Sequence, residues 1–255
     1  MEVTSEGLEV SRILVGTSGF AFDRWQDSGF YPRWARRPPL ESYARHFGFV
    51  EVDSTFYRPP RPETFARWRD AVPPGFRFSL KVPREITHQS GPAQAAERLR
   101  SFLLDAAELE GKLAALLLQF PPRRAVDVPL LDALLQAIPA GLRAAFEFRH
   151  PSWFTPSIAR RLLACGKTFC ATSAAMVEVL PHPGWIYVRL PGTHFSRSQL
   201  GRLRSTLPSA AAASAFVVFR DQARLPFPRD AWLFRLLVSR ASAAATAPPD
   251  TIHDL

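Results

Sequence analysis

The sequence predicts a single α/β domain folded as a TIM-type (β/α)8 barrel, and three observations predict it. Eight short segments of strand character alternate with helical or helix-length segments, the pattern of a parallel sheet covered by helices. The length, 255 residues, suits one barrel. Several strands also carry charge on one face near their C-terminal ends, where barrel enzymes place their chemistry. A doubly wound open sheet shares the alternation, but the chain has no Gly-x-Gly-x-x-Gly turn of the kind that fold uses.

Residues 1–12 read as a flexible leader, and the first strand, 13–16, runs into Thr17-Ser18-Gly19. Glycines after a strand let backbone amides approach an anion, so Gly16 and Gly19 are candidate ligand contacts, with Trp25 in the loop beyond. Leu40, Tyr43, Ala44 and Phe47 lie at helical spacing. Val50-Glu51-Val52-Asp53-Ser54-Thr55 then alternates valines with acids, followed by Tyr57, Arg58 and a proline-rich turn. Helical spacing resumes over 63–71. The strand 76–82 sets Phe78, Leu80 and Val82 on one face and Arg77, Ser79 and Lys81 on the other, ending near His88.

A long helix over 93–109 precedes the apolar strand 113–120, which Pro121-Pro122 closes, and a short helix covers 130–138. In the next strand Phe146 and Phe148 face one side while Ala145, Glu147 and Arg149 face the other, until His150-Pro151 breaks the pattern. Such a face is foreign to a strand buried on both sides. A helix over 156–165 and a strand over 168–173 follow. Strand 185–190 opposes Tyr187 and Arg189 to Ile186, Val188 and Leu190. The helix 196–207 opens with a serine cap answered by Gln199, and the strand 215–221 and helix 229–240 complete the set. The third-from-last connection is the least defined, which predicts an irregular helix there. Residues 241–255, rich in Ala, Thr and Pro, read as a disordered tail.

The net charge is +9, yet Lys81, Lys112 and Lys167 are the sole lysines, and arginine supplies the rest of the 32 basic residues. With alanine and proline also abundant, a compositional bias explains the charge as well as nucleic acid does. Arg33, Arg36 and Arg37, and likewise Arg123 and Arg124, read as solvated loop charge. Cys165 and Cys170 make no disulfide framework and are expected as buried free thiols. The polar N-terminus has no signal-peptide pattern and no apolar run reaches membrane-span length, so a cytoplasmic protein without a membrane partner is expected.

If the apolar faces meet the helices, Glu51, Asp53, Lys81, Glu147, Arg149 and Arg189 point into the lumen near its C-terminal mouth. Loops above the mouth add Trp25, Tyr57, Arg58, His88 and His150. Mixed charge beside aromatics in a concave mouth is the pattern of a site for a small polar ligand. The competing reading makes Glu147, Lys81 and Arg189 buried ion pairs that satisfy one another, a poor route to stability. Either histidine serves equally well as a rim residue, and Asp53 as a cap for Thr55.

These motifs resemble the YecE-like family, known as domain of unknown function 72. The resemblance rests on Gly16-Thr17-Ser18-Gly19, on 50–58, on 76–84 with Ile86-Thr87-His88, on Gln119-Phe120-Pro121-Pro122, and on 146–150 with Ser152-Trp153. Order and spacing match over 13–240. The resemblance implies a TIM-type barrel with a mouth built from these motifs, Ser18 and Arg84 included, and implies no reaction. Three mouth positions depart from the family pattern and mark a divergent member. Phe219-Arg220-Asp221 stands where members carry an Asn-rich end, Leu190-Pro191-Gly192 where they carry His-Gly, and Ala171-Thr172-Ser173 where they carry an acid.

The first functional expectation is a small-molecule enzyme or its relic. Glu147 would be the general acid/base, and Lys81, Arg149 and Arg189 would hold a phosphate or carboxylate. Basic neighbours would lower the carboxyl's pKa and favour a base. The second is metal-dependent nucleic-acid chemistry like that of endonuclease IV and xylose isomerase-type barrels, with Glu51, Asp53, His88, Glu147 and His150 as ligands. Against it, these residues show no local metal-ligand spacing, and Lys81 and Arg189 would repel a cation. The third is a non-catalytic scaffold barrel. The sequence names neither a cofactor nor an oligomeric state.

Overall fold

The computed structural model describes residues 13–32, 40–192, 194–207 and 214–246, with side chains as far as Ser239. Strand β1 (Ile13–Thr17) is followed by α1 (Arg24–Asp27) and α2 (Leu40–Ala44), and β2 (Phe49–Val52) by α3 (Pro62–Asp70). Strand β3 (Arg77–Lys81) leads to α4 (Arg84–His88) and α5 (Pro92–Ala106), and β4 (Leu113–Gln119) to α6 (Val128–Ala137). Then come β5 (Arg143–Glu147) with α7 (Pro156–Ala164), β6 (Thr168–Ala171) with α8 (Ala174–Val179), β7 (Trp185–Leu190) with α9 (Arg197–Thr206), and β8 (Ser214–Phe219) with α10 (Arg229–Thr246).

The strands form one parallel ladder in the order β1-β8-β7-β6-β5-β4-β3-β2. Its two edges meet. Ser18 bridges Glu51, and the Gly19 N–H donates to the Glu51 carbonyl at 2.7 Å. Below that bridge the Tyr43 hydroxyl spans the seam, accepting from the Thr17 N–H at 3.0 Å and donating to the Phe49 carbonyl at 3.1 Å. Gly16 lets the edges approach, because a Cβ there would overlap the Phe49 carbonyl oxygen. The result is a (β/α)8 barrel, as the alternation predicts.

Side-chain alternation divides the core in two. Phe78, Leu80, Leu116, Leu118, Phe146, Val188 and Val217 pack between strands and helices. Phe49, Ala115, Leu117, Ala145, Cys170, Trp185, Tyr187, Phe216 and Val218 fill the lumen. Helix starts follow local chemistry: proline opens α3, α5, α6 and α7, and the side chains of Asp127, Thr155 and Ser173 cap α6, α7 and α8. The predicted Ser196–Gln199 capping box opens α9.

Several boundaries differ from expectation. The second strand ends at Val52, where the chain tightens into a 3-10 turn at Ser54–Phe56. Thr55 is held there by its own hydroxyl, which donates to the Val52 carbonyl at 2.9 Å and the Lys81 carbonyl at 2.6 Å. No cap from Asp53 is involved. The fifth strand stops at Glu147, leaving Arg149 in the loop beyond. The weakly defined third-from-last connection is α8, six residues long. Helix α10 runs to Thr246, past the boundary expected at Arg240. The expected leader, Arg33, Arg36 and Arg37, and the rest of the expected tail, 247–255, lie outside the described residues.

Cys170 is buried in the lumen as expected, but Cys165 is exposed where α7 ends. Arg124 is no solvated loop charge either. Its guanidinium donates to the Thr87 and Ser90 carbonyls and to Asp127, tying the β4–α6 loop to α4. Among the described residues no helix is long and apolar enough to cross a membrane.

Candidate functional site

One layer below the C-terminal rim the lumen turns polar. Glu51 on β2, Glu147 at the end of β5 and Arg189 on β7 meet there, all at most 3% exposed. The Arg189 Nε donates to both oxygens of Glu51, at 2.9 and 3.1 Å, and its Nη1 donates to Glu147 Oε2 at 3.1 Å. Its Nη2 reaches the Ser18 hydroxyl at 3.3 Å, and that hydroxyl donates to Glu51 Oε1 at 2.7 Å. The Tyr187 hydroxyl lies 2.9 Å from both Glu51 Oε2 and Ser79 Oγ. Gln119 Nε2 and Arg149 Nε donate to Glu147 Oε1 at 2.7 and 3.1 Å. Both carboxylates are thus saturated with donors, the condition under which buried charge is tolerated.

The electrostatics follow this geometry. Burial alone would raise the Glu147 pKa, but Arg189 and Arg149 outweigh it and hold the carboxyl below its usual range. Burial works against the Arg189 charge, and Glu51 and Glu147 outweigh that too, pushing its pKa up. The Tyr187 hydroxyl is raised by burial and then by Glu51. Glu147 is therefore an ionised anchor with three donors on it, a poor position from which to deliver a proton.

Lys81, the last residue of β3, is different. It is 6% exposed, its Nζ sits 3.7 Å above the Phe56 ring, and among the described residues no side chain or carbonyl accepts a hydrogen bond or pairs with it. Burial and then Arg189 lower its pKa to about 8, against the pull of Glu51, Glu147 and Asp53. Asp53, half-buried just past β2, moves the opposite way, raised by burial and then by Glu51. Lysine and aspartate are thus both drawn toward neutrality in one corner of the mouth.

The rim above this corner is cationic. Arg84 and Arg58 are exposed, and Arg149 is 39% exposed. His88, whose Nδ1 lies 2.9 Å from the Thr87 hydroxyl, is lowered to about 4 by burial, then by Arg84, Lys81, Arg149 and Arg124. Tyr57 stands 77% exposed against Phe56.

Other residues singled out in the sequence have work elsewhere. Trp25 is fully buried, its indole N–H donating to the Gln222 carbonyl at 3.1 Å, and it packs the β1 loop onto the β8 loop. His150 accepts the Ser152 N–H on Nδ1 at 3.2 Å and caps a 3-10 turn. The amides of Thr17, Ser18 and Gly19 donate to Tyr43, Phe219 and Glu51, so the glycine turn closes the barrel and leaves those three no spare donor for an anion. Gly19 has a φ of +86, and a Cβ there would also press on the Phe22 ring. Arg189, expected to hold a ligand, is committed to the two glutamates. Sequence reasoning left out Gln119, Tyr187, Ser79, Phe56 and Tyr43 as site residues. Tyr187 and Ser79 lie on strand faces already marked by charge, and Gln119 is the one polar residue of an otherwise apolar strand, so their position was the available signal. Among the described residues no group of three His, Cys, Asp or Glu side chains is placed to hold a metal ion.

The family model described as "Protein of unknown function DUF72" matches residues 14–252. The UPF0759 protein YecE of Escherichia coli K12 is 35% identical over 130 residues, covering 49% of this chain and 47% of that protein. The chain thus spans about half the length of that curated relative. A crystal structure of a DUF72 family protein from Enterococcus faecalis V583 matches with a TM-score of 0.72 at 21% identity, covering 89% of this chain and 95% of that one. One from Thermotoga maritima MSB8 matches with a TM-score of 0.70 at 22% identity, covering 89% and 99%. At these identities the structural likeness speaks for the fold.

Proposed function

The chain belongs to the DUF72 family, a membership that settles the barrel and assigns no reaction, and from that premise we propose that it binds and transforms a small molecule bearing a phosphate or carboxylate at the C-terminal mouth. Lys81 is the group that meets it. The observation that carries this reading is an unanswered cation. Lys112 and Lys167 each donate to main-chain carbonyls, and Arg189 grips two carboxylates. Lys81 is 6% exposed as a residue and has no acceptor among the described residues. Buried charge is normally paired, and the missing partner is supplied by a ligand. Arg149, Arg84 and Arg58 add positive field at the entrance and draw an anion toward it. Glu147 and Glu51 fix the floor rather than react.

The test is thermal unfolding of wild type and Lys81→Met in a series of inorganic phosphate and small carboxylates at constant ionic strength. A ligand at a hundred times its dissociation constant adds ~2.7 kcal/mol to the folded state. That raises the Tm of a protein this size by roughly 5–10 °C. The wild type should show the rise and the variant should not. An equal rise in both, or none with any anion, refutes the reading and leaves a scaffold barrel.

A further inference from the structure

Resting on that reading, we infer that Lys81 is a covalent group: its amine condenses with the carbonyl of an anion-bearing aldehyde or keto acid to form an imine. The first argument is placement. Nζ ends the side chain at the C-terminal end of β3, shielded on one side by the Phe56 ring and free of any hydrogen bond or ion pair among the described residues. A lysine whose task is to neutralise a carboxylate would be paired with one, and two glutamates and an aspartate stand in its surroundings.

The second argument is chemical. This chain uses arginine almost everywhere it needs a cation. Lys112 and Lys167 serve where a compact ammonium gathers converging carbonyls at the C-terminal ends of α3 and α6. Lys81 gathers none. An anion at the mouth could be held by a guanidinium, as Arg149 and Arg84 are placed to do, but a guanidinium does not deprotonate and cannot act as an amine nucleophile. With its pKa near 8, about a tenth of Lys81 is free amine at pH 7, against well under a thousandth for an ordinary lysine.

The reaction balances without any redox partner. The Nζ lone pair attacks the carbonyl carbon, and the C=O π pair moves to oxygen, which takes a proton to give the carbinolamine. The C–O bond then breaks as the nitrogen lone pair closes the C=N bond. Oxygen leaves as water, carrying in total the two protons that the amine gives up.

The experiment is borohydride trapping on the full chain, with glyoxylate, pyruvate and glyceraldehyde 3-phosphate as probes. Borohydride supplies the hydride that reduces the imine to a stable secondary amine. Intact mass and peptide mapping then locate the adduct, with Lys112, Lys167 and the N-terminal amine as internal controls in the same molecule. The expected result is labelling at Lys81 at least tenfold faster than at either other lysine, slowed by added inorganic phosphate and absent in Lys81→Arg. The wild-type map is decisive even if that variant fails to fold. Labelling spread evenly over the amines overturns the inference. So does no labelling by any of the three probes. In that last case a surviving phosphate-dependent rise in Tm keeps the anion reading with Lys81 as a plain ammonium contact, whereas loss of that rise as well ends both.

Discussion

Replacing Arg189 by methionine should be the most destabilising single change in the mouth. The guanidinium is 3% exposed and joins Glu51, fully buried, to Glu147, 3% exposed, through three hydrogen bonds of 2.9 to 3.1 Å. Methionine fills much of the volume but leaves two carboxylates in the lumen with no bridging cation. Breaking a buried pair in this way costs about 3–5 kcal/mol, against ~1 kcal/mol for an ordinary hydrogen bond. The Tm should fall by roughly 6–20 °C. The pH dependence gives the loss a signature. In the wild type the folded pKa of Glu147 lies below its unfolded value, so its contribution is present above the unfolded pKa and is lost as pH falls through the folded one. In the variant Arg149 and Gln119 alone oppose burial, so the folded pKa moves up and the penalty at neutral pH fades on acidification. The gap between the proteins must therefore narrow on acidification, with the wild type losing its own contribution below the unfolded carboxyl pKa of 4.5. Urea unfolding followed by tryptophan fluorescence measures it. A loss under ~1 kcal/mol at pH 7, or a gap that does not shrink in acid, refutes the argument.

Tyr43→Phe should lower stability by about 1–3 kcal/mol in chemical denaturation, because the Thr17 N–H and the Phe49 carbonyl each lose a partner inside the seam. Gly16→Ala should abolish or severely impair folding, seen as loss of soluble protein or of the cooperative transition, since its Cβ would overlap the Phe49 carbonyl. Gly141→Ala, with open space around its Cβ position, should stay within ~0.5 kcal/mol of wild type. Lys81→Met should be more stable than wild type at pH 7 without ligand. The folded pKa of Lys81 lies below the unfolded one, so its penalty is full below pH 8 and lifts as pH rises toward 10.5, and the wild type should gain on the variant over that window in equilibrium unfolding.

The barrel was legible because its signals are local and repeat: period-two faces on the strands, prolines and caps at helix starts, and turn residues between them. The ends were less so. Val50 to Thr55 alternates like a strand throughout, yet the chain leaves the sheet after Val52, because the Thr55 hydroxyl finds two carbonyls that belong partly to β3. The mouth was legible as a set, since Glu51, Glu147 and Arg189 do converge, and illegible as a division of labour. Charge type and strand face place a residue in the lumen. They do not say which arginine grips which acid. Glu147 looked like the reacting group because it is the lone acid on its strand face, and Arg189 looked free because its partners lie on β2 and β5, 138 and 42 positions away in sequence. The Gly16–Gly19 turn carried the signature of an anion cradle. It is instead where β1 meets β2, and both uses need the same absence of a Cβ.

That division of labour is what makes Lys81 informative. A barrel floor built of two glutamates and an arginine, with tyrosine, serine and glutamine completing the hydrogen bonds, is closed and needs nothing more. Had the remaining position been optimised for stability, an apolar residue against Phe56 would serve better than an ammonium with no acceptor among the described residues. On the proposed reading Lys81, at the end of a strand that opens on the mouth and beside an aspartate drawn toward neutrality, serves chemistry rather than folding. On that same reading the chemistry lies in the corner of β2 and β3, with the Glu51–Arg189–Glu147 bridge as the base beneath it.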